Sequence, residues 1–341
     1  MKKLSDPVQL GSVTTRNRIC VPPMVLYGCA GPEGLVTEAH IAHYRRLAQG
    51  GAGLIIQEAT CISPQGRLRE DQLGIWSDRH ILGLRAITDA VHQENCPIFL
   101  QLHHAGIVGL GEDCLCPDAY VLRRNGQEKR GHKMTLEDIY RIRDAFIAGA
   151  VRAEQAGYDG VELHGCHSYL LCQFLNPRVN RREDRYGDPT ALVLEILRGI
   201  RERTSLVVGI RLGALEPGLQ EGLRHGVALS EADFLDLSFG FAWEMDEPAT
   251  AEALHRATKA IKAQVDIPVF AVNGIRTPVQ AEKVLQETQA DMIDIGRSCL
   301  VDPSWPRKAL SGEAPGFCLG CKVCQWRIDS EKCPGRKRNS L

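Results

Sequence analysis

The chain carries almost no net charge: 41 Lys and Arg stand against 42 Asp and Glu, a formal charge of −1 over 341 residues. So close a balance exerts no broad pull on nucleic acid. No stretch approaches the ~20 consecutive apolar residues needed to cross a bilayer, and Met1-Lys2-Lys3-Leu4-Ser5-Asp6-Pro7 lacks the apolar core of a signal peptide. A cytosolic protein without nucleic-acid or membrane partners is expected. No Gly-x-Gly-x-x-Gly follows a strand-like run and the Walker pattern is missing, which argues against a Rossmann or P-loop domain.

What the chain has is cysteine. Thirteen occur in a sequence that is 44% hydrophobic and 24% charged, and without a secretory signal they read as reduced thiols or metal ligands. Nine, including Cys20, Cys61, Cys96 and Cys299, lie singly in apolar surroundings and are expected to pack as small hydrophobic residues. Cys318, Cys321, Cys324 and Cys333 form a Cys-x2-Cys-x2-Cys-x8-Cys array. Four clustered thiolates suit an iron–sulfur cluster or Zn²⁺, or can remain metal-free.

Eight short Val/Ile/Leu-rich runs recur at 18–24, 53–59, 97–103, 160–164, 206–212, 234–239, 268–273 and 292–296. Each has the near-continuous apolar character of a strand buried on both faces. Helical periodicity fills most of the intervals, opened by Thr37, by Thr135 with Asp138 three residues on, and by Thr277-Pro278. Eight strands alternating with helices predict a TIM (β/α)8 barrel over 1–311, followed by a small cysteine-rich segment at 312–341. Within that segment Arg336-Lys337-Arg338 reads as a solvated tail. The stretches 105–134 and 165–189 are too long for simple βα loops and follow strand C-terminal ends, where barrel enzymes build their sites.

The strand ends carry the chemistry. Gly160–Leu163 runs into His164-Gly165-Cys166-His167-Ser168-Tyr169, two imidazoles and a phenol separated by small residues. Imidazole N–H groups can hold an oxygen that becomes negative, and a phenol can donate a proton. The first strand ends Pro22-Pro23-Met24-Val25-Leu26-Tyr27, the second Gln57-Glu58-Ala59-Thr60; the third carries Gln101, His103 and His104, and the fifth ends in Arg211. Strands seven and eight end in Asn273-Gly274 and Gly296-Arg297, the usual phosphate position in barrels.

These segments, with Phe174-Leu175-Asn176-Pro177 and Asn180 through Gly187, resemble the old yellow enzyme family of flavin-dependent ene-reductases. The likeness is to the bacterial branch of 2,4-dienoyl-CoA reductases and NADH:flavin oxidoreductases. It runs in order over roughly residues 5–310 and implies a TIM barrel holding FMN noncovalently. On that likeness Gln101 would hydrogen-bond the pyrimidine edge of the flavin and Arg211 would sit beside the locus that turns negative on reduction. Pro23, Met24 and Ala59 would touch the ring system, while Asn273, Gly274, Gly296 and Arg297 would hold the phosphate end. His164 and His167 would grip a substrate carbonyl, Tyr169 would protonate the α-carbon, and Tyr27 would line the pocket. In one branch a cysteine follows the Pro-Met pair; here it is Val25, so that branch's redox potential and substrate preference do not carry over.

The expected activity is NADH- or NADPH-driven reduction of an activated C=C bond in a small unsaturated carbonyl compound, an enone or enoyl thioester. Two alternatives use the same residues differently: an amine or C–H dehydrogenase passing electrons through an iron–sulfur cluster, and a non-catalytic flavin redox subunit. Iron–sulfur members of the family place a [4Fe–4S] cluster on a similar cysteine array and often continue into an FAD- and NAD(P)H-binding domain. The present sequence stops at Leu341, so that onward route is not expected. A homo-oligomer and a separate redox partner protein are both compatible with these features.

Overall fold

The computed structural model describes residues 1–124, 126–328 and 332–339. An antiparallel hairpin, β1 (Val8–Leu10) and β2 (Val13–Thr15), leads into β3 (Ile19–Val21), α1 (Glu38–Gln49), β4 (Leu54–Cys61), α2 (Ile81–His92) and β5 (Ile98–His103). Next come three short strands, β6 (Cys114–Cys116), β7 (Val121–Arg124) and β8 (Gln127–Lys133), then α3 (Leu136–Gln155), β9 (Gly160–Gly165), α4 (Leu170–Leu175) and α5 (Ala191–Arg201). β10 (Val207–Gly213), α6 (Leu219–Ala228), β11 (Phe234–Ser238), α7 (Ala251–Lys262), β12 (Val269–Ala271), α8 (Pro278–Thr288) and β13 (Met292–Asp294) complete the repeat. The chain ends with α9 (Arg297–Val301), α10 (Trp305–Ser311) and α11 (Pro334–Asn339).

β3, β4, β5, β9, β10, β11, β12 and β13 close into one parallel barrel in that order. Each falls within or one to two residues beyond an expected apolar run. The capping chemistry holds too: the Thr135 hydroxyl accepts from Asp138 N–H at 3.1 Å while the Asp138 carboxylate accepts from Thr135 N–H at 2.9 Å. The long segment after β5 is not a bare loop; β6, β8 and β7 form a small sheet in that order.

Side-chain alternation divides the strands into two faces. Residues such as Val161, Leu163, Ile210, Leu235 and Ile293 pack outward against the helices. Phe99, Val207, Phe234, Phe270 and Met292 point inward and meet Val8 and Leu10 of the hairpin, which plugs the bottom. Phe234 and Phe270 stack with centroids 4.8 Å apart and Phe99 lies 5.6 Å from Phe234. A Cβ on Gly209 would fall 2.0 Å from the Phe234 ring, so the smallest side chain sits where the largest fills the barrel.

In the C-terminal segment Lys337 and Arg338 are exposed, as a solvated tail would be, while other residues pack on the barrel. Trp326 packs on Leu26 and Leu300, and the Arg336 guanidinium lies over its ring at 5.7 Å. Of the nine single cysteines all but Cys29 are buried. No helix among the described residues is long and apolar enough to cross a membrane.

Because Phe234 contacts both neighbouring rings, Phe234→Ala leaves a cavity that the rigid barrel cannot close. A loss of about 3–5 kcal/mol is expected in urea unfolding; a change under 1 kcal/mol would mean the aromatic floor is not what supports the barrel.

Candidate active site

Above the aromatic floor the inward positions turn polar. Gln101 donates from Nε2 to Glu162 Oε1 at 2.7 Å. Arg211 lies between Asp236, 3.4 Å away, and Asp294, 3.6 Å away. Burial works against the guanidinium charge, but Asp236, Asp294 and Glu162 outweigh it and hold the Arg211 pKa above its ordinary value. Burial and then Asp236 push Glu162 and Asp294 well above the carboxylate range. The layer therefore keeps its cation and sheds surplus negative charge by protonation.

The next layer holds the imidazoles. β9 delivers His164, and the turn after it delivers His167 and Tyr169. His167 and Ser168 take left-handed backbone conformations, φ +57° and +69°, a costly choice for two successive non-glycine residues. Three bonds over-determine the turn: His167 N–H to Phe239 O at 3.0 Å, Ala242 N–H to Ser168 Oγ at 2.9 Å, and Gln173 Nε2 to Ser168 O at 2.7 Å. The result is His164 Nε2 3.2 Å from His167 Nδ1. The Tyr169 ring stands edge-on to His164 at 4.7 Å and to His103 at 4.4 Å.

Two cavities open here. The larger, about 440 Å³, is lined by His164, His167, Tyr169, Gln101, Ala59 and Tyr27, among others. The narrower, about 200 Å³, is lined by Arg211, Asn273, Gly274 and Gly296. Pro23, Met24 and Arg297 line both, so the two form one elongated crevice. Every expected cofactor, substrate and catalytic position is in this crevice.

The residues fit a flavin mononucleotide. Asn273 and Gly274 both have positive φ, +80° and +73°. Nothing lies within 4 Å of a Cβ placed on Gly274 except Ala251 Cβ at 3.0 Å. The Arg297 side chain has no hydrogen-bond or ion-pair partner among the described residues, leaving an uncommitted cation where the cavities join. Arg211 Nε is buried without a partner, a donor awaiting an acceptor.

The four C-terminal cysteines are not brought together. Cys318 lines the narrow cavity and Cys324 the wide one. Among the described residues the only His/Cys/carboxylate group close enough for one ion is His164, Cys166 and His167, whose ligand atoms lie within 4.8 Å of one another. Sequence reasoning missed other cavity residues. His103 was visible at its strand end but had no assigned role; its Nδ1 lies 3.0 Å from His164 Nδ1. Arg69 lines the wide cavity with its guanidinium 5.2 Å from the Tyr27 ring. Trp326 and Arg327 reach the same cavity from the C-terminal segment, for which no local signal existed.

Comparison with known proteins agrees with this geometry. Residues 3–314 match the model of the NADH:flavin oxidoreductase / NADH oxidase family. The chain is 35% identical over 320 residues to the NADPH dehydrogenase of Bacillus licheniformis, covering 90% of this chain and 94% of that protein. It is 36% identical over 341 aligned positions to the NADH oxidase of Thermoanaerobacter brockii, covering 92% of this chain and 52% of that protein. The solved structure of the old yellow enzyme homologue from Zymomonas mobilis aligns with a TM-score of 0.79 at 25% identity, over 96% of this chain and 99% of that one. A 2-naphthoyl-CoA reductase complex shares the fold with a TM-score of 0.87 at 24% identity, over 96% of this chain and 56% of that chain. The chain belongs to the NADH:flavin oxidoreductase / NADH oxidase family and is a flavin oxidoreductase of the old yellow enzyme type.

The buried groups set a pH profile. Burial lowers His43 and His103 to about 3 and His40, His104 and His225 to about 4, from 6.5; His164 is also lowered well below 6.5. Below pH 6.5 the unfolded chain takes up protons that the native one refuses, so stability falls as pH drops. Burial raises Glu58 to about 8 and Glu216 to about 7, from 4.5. With Glu162 and Asp294 they keep native protons that the unfolded chain loses, so stability falls as pH rises. The histidines outnumber these acids below 6.5 and the acids act alone above it. Thermal melting should therefore peak near pH 6.5; a melting temperature still rising at pH 8 would contradict these assignments.

Proposed function

We propose that this family member uses NADH or NADPH to reduce an activated C=C bond conjugated to a carbonyl, in a small enone or enoyl thioester. The observation that carries the reading is the convergence of His164 Nε2 and His167 Nδ1, 3.2 Å apart, with Tyr169 beside them on one cavity wall. The two rings hydrogen-bond each other at rest; a carbonyl oxygen entering beside them would take the place of the accepting nitrogen and be stabilised by imidazole N–H as it becomes an enolate. FMN, when bound, supplies hydride to the β-carbon; Gln101, Pro23, Met24, Ala59 and Arg211 would hold its ring system, and Asn273, Gly274, Gly296 and Arg297 its phosphate end. Arg211 stays charged and would favour the reduced, anionic ring.

His164 and His167 would bind and polarise the substrate oxygen. Burial lowers the His164 pKa well below 6.5, so at neutral pH it acts as a neutral hydrogen-bond donor. Tyr169 would deliver the proton to the α-carbon from its hydroxyl. Burial and the nearby Tyr27 raise its pKa, keeping the phenol protonated until the developing carbanion takes the proton. Tyr27, held beside Arg69, would form the substrate wall. The same wall supports catalysis over a purely electron-carrying subunit, since an electron carrier needs neither paired imidazoles nor a proton source.

The domain division at 311/312 and the metal reading of Cys318, Cys321, Cys324 and Cys333 remain parts of this proposal. An iron–sulfur cluster or Zn²⁺ there is supported by spacing alone. The cysteines as arranged do not fit one ion, and no step of the reduction is assigned to them.

With cyclohex-2-enone as oxidant, His164→Ala and Tyr169→Phe should each slow turnover by roughly 10²–10⁴-fold while FMN stays bound. Wild-type rates in both variants, with FMN in place, would sink the ene-reduction reading.

A further inference from the structure

We propose that Asp71 and Glu58 are positioning residues that clamp the backbone on either side of Tyr27 and so set where its ring and hydroxyl meet the substrate. This rests on the reading that Tyr27 forms the substrate wall of the wide cavity. The observation that carries it is a pair of carboxylates bracketing one residue. Leu26 N–H donates to Glu58 Oε2 at 3.1 Å, and Gly28 N–H donates to Asp71 Oδ2 at 2.6 Å.

The Val25–Cys29 stretch lies in neither a helix nor a strand, so its amides have no ladder to join and side chains must serve them. Gly28 turns the chain at φ +74°. Nothing lies within 4 Å of a Cβ placed on it, so the turn is held by its hydrogen bonds and not by packing around the glycine. Thr37 Oγ1 extends the series by donating to Cys29 O at 2.9 Å.

Both carboxylates are placed by β4. Glu58 belongs to that strand and is fixed by Tyr44, whose hydroxyl donates to Glu58 Oε1 at 3.2 Å and accepts from Glu58 N–H at 3.0 Å. Asp71 sits on a loop tied to the same strand through its buried neighbour Gln72. Gln72 Nε2 donates to Ala59 O at 2.9 Å, and Gln72 Oε1 accepts from Leu68 N–H at 2.7 Å. Tyr27 is thereby set relative to the strand that carries Ala59, one of the positions assigned to the flavin ring.

Asp71 has a second task. Its Oδ1 accepts from Arg69 Nε at 2.7 Å, and the Arg69 guanidinium stands 5.2 Å from the centre of the Tyr27 ring. One carboxylate thus holds both the backbone after Tyr27 and the cation beside its ring. What the clamp leaves free is the hydroxyl: Tyr27 lines the wide cavity, and its hydroxyl has no hydrogen-bond partner among the described residues. A ring already fixed can give a ligand one hydrogen bond with little further ordering cost.

The test combines enone kinetics with ¹⁹F NMR of the FMN-loaded holoenzyme labelled with 3-fluorotyrosine, the Tyr27 line being assigned by its loss in Tyr27→Phe. Asp71 is only half-buried, so Asp71→Ala leaves the core intact. It should shift or broaden the Tyr27 line and raise KM for cyclohex-2-enone roughly 3- to 10-fold, with kcat altered less than about twofold. Asp71→Asn, which keeps an acceptor for Gly28 N–H, should fall between. In a Tyr27→Ala background Asp71→Ala should add less than about twofold to KM, because it acts through that ring. Glu58→Ala should raise KM in the same way, and Glu58→Gln, which keeps an acceptor for Leu26 N–H, should restore it. A Tyr27 line unmoved by Asp71→Ala, or a KM effect undiminished in the Tyr27→Ala background, would overturn the proposal. A displaced Tyr27 line in Asp71→Ala, combined with wild type that does not reduce cyclohex-2-enone, would support the clamp and remove the ene-reduction reading instead.

Discussion

The structure depends on one constraint, the register of a closed parallel barrel. In such a barrel every second residue points inward, and each strand presents a ladder of side chains rising toward its C-terminal end. β5 carries Phe99, Gln101 and His103; β11 carries Phe234, Asp236 and Ser238; β9 carries Glu162 and His164, and β10 carries Gly209 and Arg211. Floor, charged layer and chemical layer are stacked by the same two-residue step. A one-residue slip of any strand would turn its polar groups into the helices and its leucines into the cavity. The pairings Gln101 with Glu162 and His164 with Arg211 are therefore consequences of register before they are interactions.

The register has an electrostatic cost that the site puts to use. Burying one guanidinium among three carboxyls is unfavourable in isolation, and Asp236, Asp294 and Glu162 retain oxygens without hydrogen-bond partners. The protein keeps Arg211 charged and pushes two of the acids toward protonation. The cation thus has an unpaired Nε and lines the narrow cavity. Over the wide cavity the C-terminal segment does the complementary work. Trp326 seals Leu26 and Leu300, Arg336 covers Trp326, and Cys324 and Arg327 form part of the wall.

Much of this was legible in the sequence, for reasons that also mark where legibility ends. The eight strands announced themselves because both faces are apolar, and the same feature concealed which residues point inward. The imidazole–phenol turn and the glycine-arginine strand ends were readable because their chemistry is local in the chain. The contacts of Ser238 with His167 and of His103 with His164 were not, since each forms only across strands. The small sheet after β5 was not legible because its strands are short and β8 is largely exposed. The C-terminal segment read as an appendage because its packing partner, the Val25–Tyr27 stretch, lies some 300 residues earlier by the distance between Val25 and Trp326. The spacing of its four cysteines suggested a joint site, yet among the described residues they form no group close enough for one ion.

The central claim is that the strand-end constellation turns a flavoprotein into an enone reductase. Its most direct test is anaerobic: FMN-loaded protein is reduced with NADPH, freed of excess nucleotide, and mixed with cyclohex-2-enone while flavin absorbance is followed and the products are analysed. The account predicts reoxidation of the flavin with one equivalent of cyclohexanone formed per flavin. Flavin that stays reduced in the presence of the enone, yet is reoxidised at once by an artificial electron acceptor, would contradict it.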